Sequence, residues 1–147
     1  MKLEGLTFYY GNSLIFDDFD FSSDKSIIAL VGPSGCGKTT LLKIISGYLK
    51  PSRINEIKIP KNPLFVIQED SLMPWLTGEE NLNFVNNDNT LHYSDEELFK
   101  VISPFIKKRA FEMSYGQRRL IEIYRAILAK PTLMLLDEPF NFLDKLY

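Results

Sequence analysis

Gly32-Pro33-Ser34-Gly35-Cys36-Gly37-Lys38-Thr39 stands between a short apolar run, Ser26 to Val31, and a stretch with helical spacing. It satisfies the phosphate-loop pattern in the context that pattern requires, after a strand and before a helix. Glycines let backbone N–H groups converge on phosphate oxygens, a lysine meets the β/γ charge, and a hydroxyl faces Mg²⁺. Gly32, Pro33, Ser34, Gly35, Cys36, Gly37, Lys38, Thr39 and Thr40 are therefore the expected nucleotide-binding residues, with Thr39 on the metal. The alternative, a glycine-rich connection with a chance lysine, does not explain why context and spacing are both satisfied.

Upstream of this loop, Leu6 to Tyr10, Leu14 to Phe16, Phe19 and Phe21 are rich in β-formers and broken by Gly11-Asn12-Ser13, which predicts a small antiparallel layer. Ser26 to Val31 has the continuous apolar character of a strand covered on both faces. Downstream, Leu41, Leu42, Ile44, Ile45, Tyr48 and Leu49 predict a helix over 39–49, and Ile54 to Ile59 and Leu64 to Ile67 read as strands. Thr77 with Glu80, and Ser94 with Glu97, fit capping boxes, predicting helices over 78–85 and 95–102 with a polar loop at 86–90. A longer helix is expected from Ser114 to Ala129, with Leu120, Ile123, Tyr124, Ile127 and Leu128 along its stripe. Leu133 to Leu136 is a further buried strand, and it ends in Asp137-Glu138-Pro139. An acid at that place reaches Mg²⁺ or its waters, so Asp137 is read as a metal residue and Glu138 as the group acting on an in-line water.

The 147 residues allow one domain, and 45% hydrophobic against 24% charged residues excludes global disorder. Seventeen basic and nineteen acidic side chains leave a net charge of −2, too little positive field to make nucleic acid an expected partner. No apolar run approaches the roughly 20 residues of a membrane span. The single Cys36 and the absence of a leader-like N-terminus point to the cytoplasm.

Met113-Ser114-Tyr115-Gly116-Gln117, then Arg118, Arg125-Ala126 and Leu135-Leu136-Asp137-Glu138-Pro139, resemble the signature and Walker B region of ATP-binding-cassette (ABC) ATPases. The resemblance spans essentially the whole chain. It implies an α/β P-loop core with an N-terminal antiparallel β layer, a helical subdomain over about 76–130, and ATP with Mg²⁺ as ligands. It also implies roles for Tyr10 in adenine stacking and for Gln68 in sensing metal and water. Phe142-Leu143-Asp144 resembles the loop after Walker B, with Asp144 beside nucleotide, and Ser114, Gly116 and Gln117 resemble the site that closes on a second subunit's γ-phosphate. Tyr115 departs from the glycine common in that motif, Tyr9 competes with Tyr10, and Ser114 also reads as an ordinary N-cap.

Gln68 to Thr77, with Pro74 and Trp75, resembles nitrate-, sulfonate- and taurine-type importers. That resemblance implies a head-to-tail dimer bound to transmembrane permease subunits at the inner face of the membrane. Trp75 is more often a packing residue than a contact. The sole histidine, His92, lies upstream of Ser114 and Asp137 and so cannot match the family's switch histidine, which follows a further strand. With Tyr147 three residues after Asp144, the resemblance predicts a core truncated at its C-terminus. Two readings follow: a transport ATPase of reduced activity, or an ATP-binding regulatory module without effective hydrolysis. A cassette ATPase acting on DNA or ribosomes fits less well with the short insertion and near-neutral charge.

Overall fold

The computed structural model describes residues 1–85 and 96–139, arranged as two compact units, 1–65 and 66–147. In the first unit, β1 (Lys2–Tyr10) and β2 (Ser13–Ser22) form an antiparallel hairpin, and β3 (Glu56–Lys58) pairs antiparallel with the start of β1, giving the order β2-β1-β3. The register runs from Tyr10 opposite Ser13 to Lys2 opposite Ser22, with irregularities between Leu3 and Leu6 and on toward Tyr9. Gly5, at φ +63°, sits in the first irregularity and donates its N–H to Asp20 Oδ1 at 2.7 Å. Leu3, Leu6 and Phe8 are buried, whereas the outer strand β2 exposes Asp17, Asp18 and Asp20, charges that discourage further pairing along an edge.

Helix α1 (Lys38–Ile45) buries Thr40, Leu41, Leu42, Ile44 and Ile45. It stops short of the predicted Leu49 because Gly47 enters the left-handed region at φ +78° and closes the last turn on Ile44 O. The predicted strand at Ser26 to Val31 is not formed: 26–31 belong to no strand, and Ile27 and Val31 are 90% and 93% exposed. An apolar run becomes a covered strand only where neighbours accept its backbone groups on both sides. The three-stranded sheet of this unit does not extend to it.

The second unit begins at the end of β4 (Leu64–Val66), which pairs with β5 (Met134–Leu136), and Asp137 N donates to Val66 O at 3.1 Å. Around them lie α2 (Gly78–Asn83), α3 (Glu96–Ile102), a single 3-10 turn at Ala110–Glu112 and α4 (Tyr115–Leu128). Leu72, Leu82, Ile102, Phe105, Ile106, Met113, Leu120, Ile121 and Tyr124 make one apolar cluster. Buried Asn81 stitches the approach to α2, accepting from Met73 N at 2.8 Å and donating to the carbonyls of Met73 and Thr77.

The Thr77–Glu80 capping box is present, and the two hydrogen bonds from Thr77 hold the Glu80 carboxyl below its usual pKa. The Ser94–Glu97 box, the 86–90 loop and His92 lie outside the described residues. On α4 the buried face is Arg119, Leu120, Ile121, Glu122, Tyr124 and Ala126, rotated from the predicted stripe so that Ile123 and Ile127 are only half-buried.

Gly78 starts α2 where no side chain fits: a Cβ there would lie 2.9 Å from Ile106 O and 3.1 Å from both Ile121 Cδ1 and Met113 Cε. Gly78→Ala is expected to destabilise the protein by about 1–3 kcal/mol, read as a lowered urea midpoint with unchanged slope.

Candidate functional site

In the first unit the phosphate loop leads directly into α1. Gly35 and Gly37 adopt φ +80° and +97°, the left-handed backbone that glycine tolerates without a Cβ penalty. A Cβ on Gly37 would come within 2.9 Å of Phe16 Cζ, and one on Gly32 within 2.8 Å of Cys36 Sγ, so these two positions are crowded, whereas Gly35 is held by its backbone conformation alone. Lys38 folds back over it, donating from Nζ to Gly32 O at 2.9 Å and Pro33 O at 2.8 Å, with Cys36 Sγ 3.8 Å away. Its ammonium is thereby held at the loop. The N-cap position of α1 is Gly37, which offers no side-chain acceptor to the first-turn N–H groups, so an anion can take that role. Pro33, Ser34, Gly35 and Cys36 are exposed, Thr39 is half-buried, and Thr40 is buried in the helix. Tyr10 is 47% exposed, its ring edge-on to Phe8 at 4.9 Å, and Tyr9 is 44% exposed, so the two tyrosines are equally available.

The second unit brings together Gln68, Asp137 and Glu138. Gln68 Nε2 donates to Glu138 Oε2 at 3.1 Å. Asp137 is buried at 4% exposure, while its neighbour Glu138 is exposed and takes φ +46°. That left-handed conformation costs a non-glycine residue about 1–2 kcal/mol and is typical of functional sites.

Ser114 caps α4 as an ordinary N-cap does: its hydroxyl accepts from Gln117 N at 3.2 Å and Gln117 Oε1 accepts from Ser114 N at 3.0 Å. Gly116 lies in the first turn. Asp144 lies outside the described residues. Trp75, expected to pack, is 63% exposed.

Several contacts at this site escape sequence reasoning. Tyr115, at the place where the motif has glycine, donates its hydroxyl to Gln68 O at 2.7 Å. Arg118 lies 5.7 Å over the Tyr115 ring, pairs with Asp70 and donates to Met113 O at 2.6 Å. Arg119 and Glu122 form a buried ion pair at 3.2 Å. Arg125 donates to Ser71 Oγ at 2.7 Å; burial lowers its pKa from the ordinary value, opposed by the charges of Glu122 and Asp70. Only the i,i+3 spacing of Arg119 and Glu122 was visible beforehand, and it normally marks an exposed helix pair.

Each unit, taken by itself, carries groups of the expected chemistry: at Gly32 and Gly37 a Cβ would crowd the loop of the first unit, and in the second Asp137, Glu138 and the Gln68 carboxamide offer the hard oxygen donors Mg²⁺ prefers.

A family model described as ABC transporter matches residues 17–141. The chain belongs to that family. It is 38% identical over 138 residues to the aliphatic sulfonates import ATP-binding protein SsuB 2 of Pseudomonas syringae pv. tomato, covering 92% of this chain and 60% of that protein. Against the taurine import ATP-binding protein TauB of Escherichia coli O157:H7 it is 32% identical over 151 residues, covering 92% of this chain and 59% of the relative. It thus spans about three fifths of the length of these relatives. A solved dimeric bacterial ABC transporter cassette superposes with a TM-score of 0.74 at 26% identity, covering 97% of this chain and 75% of that one. The α/β cassette fold expected from the motifs is therefore the fold of this ABC-family chain. Among the described residues no helix is long and apolar enough to cross a membrane.

Replacing Tyr115 with Phe removes the hydroxyl bond to Gln68 O while keeping the ring under Arg118. Tyr115→Phe is expected to lower stability by about 0.5–1.5 kcal/mol and to speed amide exchange around Gln68, measured by hydrogen–deuterium exchange.

Proposed function

We propose that this chain binds MgATP and hydrolyses it as the ATPase subunit of an ABC importer. The observation that carries the reading is the exposed Glu138 carboxylate, turned out by its left-handed backbone and met by Gln68 at 3.1 Å. The similarity to sulfonate and taurine import ATP-binding proteins supports transport as the work that hydrolysis drives.

In this reading the loop from Gly32 to Thr40 binds the nucleotide phosphates through backbone N–H groups and the Lys38 ammonium. Thr39 in the first unit and Asp137 and Gln68 in the second are the residues that would hold Mg²⁺, which would supply charge neutralisation at the nucleotide phosphates. Glu138 orients a water in line with the γ-phosphorus and accepts its proton as the P–O bond to ADP breaks. Gln68 fixes the Glu138 carboxylate through the amide and keeps its carbonyl oxygen for metal or water. Tyr10 stacks on adenine.

Ser114, Gly116, Gln117 and Asp144 serve a nucleotide shared with a second copy in a head-to-tail dimer. Residues 76–130 form the helical subdomain, which receives the permease subunits at the inner face of the membrane. Phe84 and Phe111 within it, and Met73 and Trp75 just before it, leave exposed apolar side chains available for such a contact.

The test is phosphate release from MgATP by wild type and Glu138→Gln, with ATP binding measured on the same samples. Loss of a positioned base predicts a drop of about 10²- to 10⁴-fold in turnover with binding retained. Unchanged turnover in Glu138→Gln overturns the catalytic assignment. Binding by both proteins with release by neither identifies an ATP-binding module instead of an enzyme.

A further inference from the structure

We propose that Arg119 is a positioning residue for ATP hydrolysis, its guanidinium holding the two peptide planes from which Gln68 and Glu138 project. The inference rests on the hydrolytic reading above.

Arg119 is 2% exposed. One terminal nitrogen donates to Ile67 O at 2.5 Å and the other to Asp137 O at 2.6 Å. These carbonyls belong to the residues immediately before Gln68 and Glu138, so each bond fixes the peptide plane on which the next residue is built. For Glu138 this matters most. Its φ of +46° is a rotation away from that plane, which Arg119 holds at the Asp137 carbonyl, while the Asp137 N–H, in the peptide plane before it, is held by Val66 O.

A guanidinium is a planar fork with donors at fixed separation, so it sets the spacing of the two carbonyls as well as the position of each. The 3.1 Å bond between Gln68 and Glu138 closes the ring of contacts on the exposed side. Glu122 holds the fork in turn: its Oε2 accepts from Arg119, and its Oε1 accepts from the backbone N–H and hydroxyl of Ser71.

Fold stability alone does not account for the pair. A buried ion pair is often replaced by apolar residues at no loss of stability. What apolar residues cannot supply is two directed donors on these two carbonyls.

Three full-length variants test the proposal: Arg119→Lys, the double variant Arg119→Met with Glu122→Leu, and Glu138→Gln as reference. Each is measured for kcat and KM of MgATP hydrolysis, ATP affinity, and urea unfolding. Lysine keeps a charge for Glu122 but has no fork, and the double variant removes both charges together so that neither is left buried alone. A misplacement of about 1 Å costs on the order of 100-fold in rate, so both Arg119 variants are expected to lose about 10- to 100-fold in kcat. Their KM and ATP affinity should stay within about twofold, and the double variant, which leaves the Ile67 and Asp137 carbonyls and the Ser71 N–H without these partners, should unfold at a lower urea midpoint while remaining folded in assay buffer.

If either folded Arg119 variant retains kcat within about twofold of wild type while Glu138→Gln falls by 100-fold or more, Arg119 is structural only and the proposal is overturned. Should kcat fall only in proportion to the fraction of protein that is folded in the assay, the same conclusion holds. If Glu138→Gln itself leaves turnover unchanged, the hydrolytic reading fails, and the role for Arg119 fails with it.

Discussion

The guanidinium of Arg119 is the constraint on which the backbone beneath Gln68 and Glu138 depends. Taking an arginine and a glutamate out of water costs several kcal/mol per ion, which geometry must recover. Here two carbonyls and Glu122 face the guanidinium, and Glu122 also takes two bonds from Ser71. The pair therefore dictates where the segments at 67–71 and 137 lie relative to α4. The helix is placed by two other features, the Ser114–Gln117 box at its start and the packing of Leu120, Ile121 and Tyr124 into the apolar cluster. Packing sets the helix, the helix sets the charge, and the charge sets the backbone beneath Gln68 and Glu138.

Backbone carbonyls also hold a cation in the first unit. Lys38 rests on Gly32 O and Pro33 O. These are neutral partners, so a phosphate can compete for the ammonium through a stronger, charge-assisted bond without the loop being rebuilt. The left-handed Gly35 and Gly37 prearrange the turn that makes this possible. Ordering of the loop is then a cost of folding and not of binding, which is how a glycine-rich segment contributes to affinity despite its flexibility when unfolded.

Features governed by local rules were legible in the sequence. The Thr77–Glu80 box, the hairpin at Gly11 and the strand before Asp137 each depend on residues a few positions apart, and each is formed. Ser26 to Val31 departs from its strand-like pattern because an apolar run specifies burial only if other segments arrive to provide it, and Ile27 and Val31 stay exposed. Arg119 was invisible for the complementary reason. Its spacing from Glu122 is that of a solvated helix pair, and what buries it are carbonyls 52 and 18 residues away in sequence. Tyr115 read as a departure from a glycine motif, and only the fold shows its hydroxyl on Gln68 O.

Two carboxylates side by side on the chain would ordinarily compete for one environment. The backbone separates them. A strand alternates its side chains across two faces, but β5 ends at Leu136, and the left-handed turn at Glu138 sends its side chain outward while Asp137 stays enclosed at 4% exposure. A residue keeps such a conformation only where its surroundings over-determine it. The bonds of Asp137 to Val66 O and Arg119, with that of Glu138 to Gln68, do so. One carboxylate is thus held where water reaches it and the other where water does not, a division of labour created by a single strained φ angle and the arginine behind it.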